Sequence, residues 1–381
     1  MSEFQRVVAN VKRQWQDAQT EAERSQVRQR AVRALVGAGF DTEIHSSDGG
    51  RTQRTKEIKF ITARDLALES HEKTEWSVEG FAAKGAVTML FGKPKVGKTT
   101  FALGMCKSLV AGDRFLERPV IRSGFVSVVE QPRASYFQAL ELAGLLERDD
   151  AVFLFWTDVI GVSWSKIAKA ATEECLRRGH DVLLIDTLHQ VAGLVGDKEN
   201  NAGDCLSAVQ PLQEAAAAGL TVLFTWHERK GGGEISDAGR GSSAVAGAVD
   251  TILQIQGMGG NHRPTLRKIQ SLSRFAETPK DLVVELEGQL WVPRGTTTAL
   301  AKKEARERIL DLLPSNEEAA PDFDQVFESL DGAVGKTLTR ETLKELSDGG
   351  AVKRIGAGKK GDKYRYYATV RPVESAEVAV V

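Results

Sequence analysis

The fold of this 381-residue chain is decided by residues 86–103, which read AVTMLFGKPKVGKTTFAL. An apolar run with strand character opens the segment, the pattern G-x-x-x-x-G-K-[ST] follows it, and a helical pattern closes it. Glycines in such a pattern let backbone N–H groups surround phosphates, and the helix N-terminus adds a favourable dipole. The segment therefore predicts a phosphate-binding loop between a buried strand and a helix.

This loop and the first turn of the helix are expected to hold a nucleotide. The expected nucleotide-binding residues are Gly92, Lys93, Pro94, Lys95, Val96, Gly97, Lys98, Thr99 and Thr100. Lys98 is placed to reach the β- and γ-phosphates, which also makes it a candidate catalytic residue, and the Thr99 hydroxyl is placed to bind Mg²⁺. The cofactors that follow from this pattern are ATP and Mg²⁺.

Two acidic residues close apolar runs that have strand character. Asp186 ends the run DVLLID, and Glu130 ends the run GFVSVVE. The carboxyl ends of strands face the ligand crevice in an open α/β sheet, so both side chains are expected at the nucleotide site. We interpret Asp186 as the second Mg²⁺ ligand beside Thr99. We interpret Glu130 as the catalytic residue that orients or deprotonates the attacking water.

A further apolar run, TVLFTW, is followed by His227 and then by a segment rich in glycine. A polar side chain at a strand tip can contact the γ-phosphate, so His227 is a candidate catalytic residue. Residues 231–241 contain five glycines, which disfavour a stable helix or strand. The segment is either a disordered connection or a ligand-binding loop whose movement couples nucleotide state to the ligand.

The pattern of apolar residues divides the chain into three parts. Between about residues 58 and 289, short apolar runs alternate with helical segments, which predicts βαβ units and a mainly parallel sheet. From Phe4 to Trp15 the apolar residues recur at helical spacing, and a linker rich in Ser, Asp, Gly and Thr follows. We therefore predict a helical N-terminal arm and linker at 1–55, a core at 56–294, and a C-terminal domain with a tail at 295–381.

The C-terminal part has the outline of a winged helix. Three short helical patterns are followed by two short strand patterns, AVKRI and KYRYYA, which a glycine- and lysine-rich turn joins. Thr339 is expected to cap the N-terminus of the third helix.

Charge is balanced over the whole chain but not locally. The chain has 51 Lys and Arg against 52 Asp and Glu, so its net charge of −1 gives no global reason for a polyanionic partner. Residues 351–366, however, carry six basic residues and one acidic residue, and tyrosines lie between them. A basic hairpin with exposed rings suits a phosphate backbone. The candidate DNA-binding residues here are Lys353, Arg354, Lys359, Lys360 and Lys363. A solvated edge hairpin, or a winged helix that binds protein, remains the alternative.

Composition indicates the cellular setting. The three cysteines form no C-x-x-C pair, which disfavours a zinc knuckle and a disulfide framework. The N-terminus has no apolar signal region, and no run of about 18 apolar residues occurs. We expect a cytoplasmic protein without membrane contact.

Several motifs in matching order resemble those of a known class. These are W-x-V-x-G-F from Trp76, the segment 86–103, VSVVEQP, LLIDTLHQV, and TWHERKGGGEISDAGRGSSAVAGAVDTILQI. Together they resemble the RecA-like ATPases of the RepA and DnaB hexameric helicase class, most closely the RepA-type replication ATPases of plasmids and phages. The resemblance spans roughly residues 60–290. The predicted fold class is α/β: a RecA-like P-loop NTPase core with a mainly parallel sheet, a helical N-terminal arm and a C-terminal winged helix.

The resemblance implies roles for residues outside the phosphate-binding loop. By position, Lys98 and Thr99 would be the Walker A pair, Asp186 the Walker B aspartate, Glu130 the catalytic glutamate and His227 the sensor. The loops at about 193–204 and 230–241 would line a channel and contact single-stranded DNA. Candidate contacts in these loops are Lys198, Lys230 and Arg240. An arginine from a neighbouring subunit would complete each active site; Arg274 is the best positional match, and Arg240 and Arg267 compete with it.

The function expected from these features is ATP hydrolysis by a ring, a homo-hexamer, that acts on DNA. The activity would be that of a replicative or remodelling helicase of phage or plasmid type. DNA would bind as a single strand through the core loops and as a duplex through the winged helix. Gln131 follows Glu130 where the resembled proteins often carry a second acid. The alternative is a nucleotide-gated DNA-binding or recombination-accessory ATPase without unwinding activity, and a weaker one is a regulatory oligomer whose C-terminal module binds a protein.

Overall fold

The computed structural model describes residues 60–68, 73–227, 243–259 and 262–369. The chain divides into two compact units, Met1–Pro293 and Arg294–Val381. The predicted N-terminal arm at 1–55 lies outside the described residues, as do the glycine-rich loop at 231–241 and the tail beyond residue 369.

The first unit is built on one large sheet. Its strands and the small pair that precedes them are β1 (Trp76–Val78), β2 (Ala82–Ala83), β3 (Val87–Gly92), β4 (Phe125–Val129), β5 (Ala151–Phe155), β6 (Val182–Asp186), β7 (Thr221–His227), β8 (Thr251–Gly257), β9 (Leu266–Ser273), β10 (Asp281–Glu287) and β11 (Leu290–Pro293). The nine-stranded sheet has the order β11-β10-β9-β8-β3-β7-β6-β4-β5. The six strands from β8 to β5 pair in parallel, which confirms the prediction of a mainly parallel sheet in an α/β unit.

Three antiparallel strands extend this sheet at one side. β9, β10 and β11 pair antiparallel with one another and, through β9, with β8. The sequence pattern does not predict them as part of the sheet, because no helical segment separates them and the alternation that marks βαβ units ends at β8. They bring residues from the end of the unit beside the phosphate-binding loop.

Helices cover both faces of the parallel strands. They are α1 (Ala63–Leu68), α2 (Lys98–Ala111), α3 (Arg133–Ala143), α4 (Trp164–Arg178), α5 (Leu188–Val191), α6 (Ala202–Ala217) and α7 (Ser243–Ala248). Phe101 of α2 and Tyr136 of α3 belong to the apolar core on one face, and Ile167 of α4 and Val209 of α6 belong to the core on the other. Strands buried on both faces need near-continuous apolar runs, which explains sequences such as VLLID. No helix in the described ranges is long and apolar enough to cross a membrane.

In its described residues, 294–369, the second unit contains three helices and a β-hairpin. Its elements are α8 (Thr297–Leu312), α9 (Phe323–Ser329), α10 (Lys336–Asp348), β12 (Val352–Ile355) and β13 (Arg365–Ala368). Asp322 and Gln325 form a capping box at the start of α9. Ile309, Leu343 and Val352 lie in the shared core.

The prediction that Thr339 caps α10 is wrong. The helix begins one turn earlier, at Lys336, with Gly335 at the N-cap position. Thr339 is buried inside the helix, and its hydroxyl donates to the carbonyl of Gly335 at 3.1 Å. The first two residues of the helix, Lys336 and Thr337, are polar and exposed, so the sequence pattern gave no sign that the helix begins before Thr339.

Candidate active site

Strand register gathers the predicted site residues at one edge of the sheet. Gly92 at the end of β3 lies opposite His227 at the end of β7. Val129, which precedes Glu130, lies opposite Asp186 at the end of β6. The backbone N–H of Glu130 also donates to the carbonyl of Asp186 at 2.7 Å. Because β3, β7, β6 and β4 are neighbours, the loop, the histidine and the two carboxylates form one row.

The phosphate-binding loop needs glycine at its two ends. A Cβ atom at Gly92 would lie 2.4 Å from the carbonyl oxygen of Ile255 on β8, so no larger residue fits. Gly97 adopts the left-handed conformation, with φ of 100°, at the N-cap of α2. No side chain caps this helix within the described residues. Its first N–H groups are therefore open to an anion. Lys93, Pro94 and Lys95 are exposed on the loop.

Lys98 connects the loop to the end of the neighbouring strand. Its ammonium is buried and donates to the carbonyls of Gly92 at 2.9 Å and Lys93 at 3.0 Å. It also lies 3.0 Å from Nδ1 of His227. Burial, and then the charge of Lys98, lower the pKa of His227 to about 4. The imidazole is therefore neutral near pH 7, and its Nδ1 accepts a hydrogen bond from the Lys98 ammonium.

Asp186 presents one oxygen that the protein does not bond. The residue is 1 % exposed, and Thr225 donates to Oδ1 at 2.6 Å. No hydrogen-bond partner for Oδ2 occurs in the described part of the chain. Burial raises the pKa of Asp186, while the hydroxyls of Thr225 and Thr99 and the charge of Lys98 lower it. A buried, unbonded carboxylate oxygen near a hydroxyl fits Mg²⁺, which prefers oxygen ligands.

Glu130 is held by a residue that sequence reasoning missed. The hydroxyl of Thr187, directly after Asp186, donates to Oε2 of Glu130. Burial raises the pKa of Glu130 and the charge of Asp186 raises it further, whereas the Thr187 hydrogen bond and Lys98 lower it. A carboxylate with a raised pKa suits proton transfer near neutral pH. The sequence signal was present, because Thr187 follows the strand-end aspartate in LLIDT.

The antiparallel extension holds the outer side of the loop. Arg267 on β9 donates from Nε to the carbonyl of Val96 at 2.6 Å, and burial lowers its pKa. Trp291 on β11 donates from Nε1 to the carbonyl of Thr100 at 3.3 Å and packs edge-on against Phe101. Arg267 had been considered only as a residue acting on a neighbouring subunit. The structure places it against the loop of its own chain.

Two further predicted residues of the core, Arg274 and Lys198, do not join this site. Arg274 follows β9 and forms an ion pair with Asp250, 3.1 Å from NH1 to Oδ1. Asp250 precedes β8, at the opposite edge of the sheet from Gly92, so Arg274 does not reach the loop of its own chain. Lys198 is exposed in a short 3₁₀ helix, Gly196–Asn200. Lys230 and Arg240 lie outside the described residues.

The predicted basic residues of the second unit differ in their surroundings. Lys353, Lys359 and Lys360 are exposed. The guanidinium of Arg354 lies 4.2 Å from the ring centroid of Tyr364. Lys363 is partly neutralised, because its ammonium lies 3.1 Å from Asp322 and 2.9 Å from Asp324.

A basic face of α10 was also missed. Lys336, Arg340 and Lys344 are exposed at spacings of four residues, which places them on one side of the helix. The guanidinium of Arg340 lies 4.9 Å from the ring centroid of Phe323. The spacing of the basic residues in KTLTRETLK is a sufficient signal for this face.

A comparison with protein families supports a P-loop ATPase. The family model described as an AAA domain matches residues 52–233, which include the loop, Glu130, Asp186 and His227. The match ends before β8 and does not cover the antiparallel strands or the second unit. A search of the curated proteins finds no match to the chain. The match and the mainly parallel sheet agree on a nucleotide-hydrolysing core.

Proposed function

We propose that the protein is a RecA-like ATPase that assembles as a ring, a homo-hexamer, and acts on DNA as a replicative or remodelling helicase of phage or plasmid type. The observation that carries the proposal is the row of Lys98, Asp186, Glu130 and His227 at one sheet edge. It joins a loop with open helix N–H groups, a buried carboxylate with an unbonded oxygen, and a second carboxylate suited to activate water.

The residues of this edge divide the catalytic work. Bound ATP supplies the phosphoryl group, and Mg²⁺, which Thr99 and Asp186 would hold, supplies positive charge at the phosphates. Lys98 leaves the loop carbonyls and His227 to contact the phosphates. The Thr187 hydroxyl donates to Oε2 of Glu130 and so orients the carboxylate, which takes the proton of the attacking water.

His227 links the nucleotide to the segment that follows β7. Its Nδ1 accepts from Lys98, so a phosphate that attracts Lys98 also removes this contact. The strand end and the glycine-rich loop beyond it then respond to the nucleotide.

In a ring, this loop and the one that carries Lys198 contact single-stranded DNA, and Arg274 reaches the site of the neighbouring subunit. The second unit acts as a winged helix that contacts a duplex through its basic residues.

The proposal is tested by ATPase rates measured with and without DNA. We expect the steady-state rate of the full chain to rise when single-stranded DNA is added. Gln substitution of the exposed Lys198 should reduce this stimulation without changing the rate in the absence of DNA. The matched control is Lys169→Gln, an exposed lysine on α4. An ATPase rate that no DNA, single-stranded or duplex, changes would contradict action on DNA.

The second candidate is a nucleotide-gated DNA-binding or recombination-accessory ATPase that does not unwind DNA. It is favoured by the concentration of exposed cations on α10 and the hairpin, outside the ATPase unit. An unwinding assay on a forked DNA duplex distinguishes the two candidate functions. Strand separation that requires ATP supports the helicase. ATP turnover without separation, together with sequence-selective duplex binding through residues 351–366, supports the second candidate.

A further inference from the structure

The second unit contains a cavity with an unusual lining. It has a volume of about 460 Å³ and lies between α9, α10 and the β12–β13 hairpin. Four cationic side chains line it, together with aromatic rings from two elements. The lining residues that matter here are Phe323, Arg340, Lys344, Arg354, Lys363 and Tyr364. Cavities of this size accept a ligand the size of a nucleotide and are larger than a single inorganic anion requires.

Two of the cations are held in fixed planes. The guanidinium of Arg340 lies over the Phe323 ring at 4.9 Å, and that of Arg354 lies over the Tyr364 ring at 4.2 Å. The Tyr364 ring is itself fixed, because it packs so closely on Gly358 that a Cβ atom there would lie 2.5 Å from it. A stacked guanidinium keeps its N–H edge available for an oxyanion. The cavity therefore presents two oriented donor edges.

The described residues do not balance the positive charge of the cavity. Asp324 is the acidic residue in the lining, and Lys363 lies 2.9 Å from it. Within the described residues, Arg340, Lys344 and Arg354 have no ion-pair partner. Three unbalanced cations beside aromatic rings match a phosphate that carries a nucleoside. The phosphate can bind the cations, and the base can stack on a ring or a guanidinium plane.

We propose that this cavity binds one nucleotide unit, with its phosphate at Arg340, Lys344 and Arg354 and its base on the side of Tyr364. The ligand is a nucleoside phosphate, a group that both a DNA strand and a free mononucleotide contain. The choice of a DNA strand as the source rests on the proposed action on DNA. The cavity and the phosphate-binding loop are formed by residues of different units of the chain.

The experiment uses the full chain and fluorescence anisotropy of a labelled single-stranded oligonucleotide, measured at several salt concentrations. The double variant Arg340→Gln and Arg354→Gln should bind about tenfold more weakly, and the slope of log affinity against log salt should become shallower by about 0.7, because the proposed site holds one phosphate of a single strand. The variant Tyr364→Leu should weaken binding while the salt slope stays unchanged, because it removes a ring and no charge. Arg340→Lys and Arg354→Lys together should give an intermediate loss of affinity.

Arg306→Gln, on the exposed surface of α8, is the matched control and should bind as the wild type does. Thermal melts of every variant show that each is folded.

Competition then identifies the source of the nucleotide. Displacement of the oligonucleotide by millimolar dAMP, but not by equal inorganic phosphate, supports the cavity as a site for a free mononucleotide. If dAMP does not displace the oligonucleotide, but the Arg340 and Arg354 variants bind the oligonucleotide more weakly, the results support a DNA strand as the source. Equal binding by the double variant and by Arg306→Gln overturns the proposal. The proposal is also overturned if a polyglutamate peptide displaces the oligonucleotide as effectively as dAMP does. It is overturned as well if the wild-type protein binds neither the oligonucleotide nor dAMP.

The same samples separate this inference from the proposed function. DNA-stimulated ATPase activity with unaltered binding by the cavity variants overturns the inference alone. Binding that the cavity variants weaken, without stimulation of the ATPase by DNA, overturns the proposed function alone.

Discussion

The nucleotide edge of the first unit and the basic cavity of the second unit both suit phosphates, but they are built differently. At the nucleotide edge, buried and half-buried side chains hold the backbone: Lys98, Arg267 and Trp291 donate to carbonyls of the loop and of the first turn of α2 at 2.6 to 3.3 Å. In the cavity, exposed guanidinium groups rest on aromatic rings. The first site therefore depends on backbone geometry and the second on charge. Substitutions at the edge should change turnover and pH dependence, while those in the cavity should change salt dependence.

Substitution of the proposed base should have the largest effect. Glu130→Gln keeps the acceptor for Thr187 but cannot take a proton, so we expect turnover to fall by about 10² to 10⁴-fold. Nucleotide affinity should change little, which separates chemistry from binding. Steady-state kinetics and a fluorescent-nucleotide titration measure the two. Glu141→Gln, on the exposed side of α3, is the control. A Glu130→Gln protein with wild-type turnover would remove Glu130 from the mechanism.

The contact between Arg267 and the loop should have an intermediate effect. Arg267→Ala removes the donor to Val96, and we expect about a tenfold loss of nucleotide affinity with a small change in kcat. Arg267→Lys should restore part of the affinity, and Lys280→Gln, exposed on the same extension, is the control. An arginine that acts on a neighbouring subunit would give a different result: a loss of kcat of about 10³ to 10⁵ with normal affinity.

Removal of the Thr187 hydroxyl should move the pH profile. The hydrogen bond from Thr187 lowers the pKa of Glu130, so Thr187→Val should raise that pKa and shift the acid limb of the kcat profile to higher pH. Turnover at neutral pH should fall a few-fold, since the carboxylate is also less firmly oriented. Thr187→Ser should restore the wild-type profile. A kcat profile of Thr187→Val that matches the wild type, as the profile of Thr187→Ser should, would show that Thr187 does not act through Glu130.

The smallest effect is expected in the stability of the protein at acid pH. The pKa of His227 is about 4 in the folded chain against an ordinary value of 6.5, so between these values the unfolded state binds the extra proton. The free energy of unfolding should therefore decrease as the pH falls from about 6.5 to about 4, and His227 should contribute nothing above that window. The raised pKa values of Glu130 and Asp186 make the free energy of unfolding change with pH in the opposite direction. A variant at His227 keeps both carboxylates, so a comparison with wild type isolates the histidine.

This contribution is measured as a difference. Across the window, the free energy of unfolding from urea titrations should fall more steeply with decreasing pH for wild type than for His227→Asn. The difference in slope should be measurable but smaller than about 1 kcal/mol per pH unit, because the ring is only half-buried. Parallel pH curves for the two proteins would contradict the neutral imidazole.

The sequence predicted what depends on local spacing and on strand ends. The loop from Gly92 to Thr99 is continuous in the chain, and the carboxyl ends of parallel strands meet at one edge, so Glu130, Asp186 and His227 could be assigned to it. The AAA-domain match is consistent with this core.

The sequence did not reveal contacts created by distant pairing. Arg267 and Val96 are 171 residues apart, and Trp291 and Thr100 are 191 apart, so only the register of the antiparallel strands brings them together. The cavity was missed for a related reason. Its cations lie on α10 and on the hairpin, and their stacking on Phe323 and Tyr364 depends on packing within the second unit.

The central claim, that the sheet edge around Lys98 hydrolyses ATP, is tested most directly by the ATPase rate of wild type against Lys98→Ala. Removal of a buried ammonium from the phosphates should lower turnover by at least about 10² to 10³-fold. The control is Lys107→Ala, a lysine of the same helix outside the site. Magnesium-dependent hydrolysis by the wild type that Lys98→Ala abolishes is the result we expect. Equal rates for the two proteins would contradict the account.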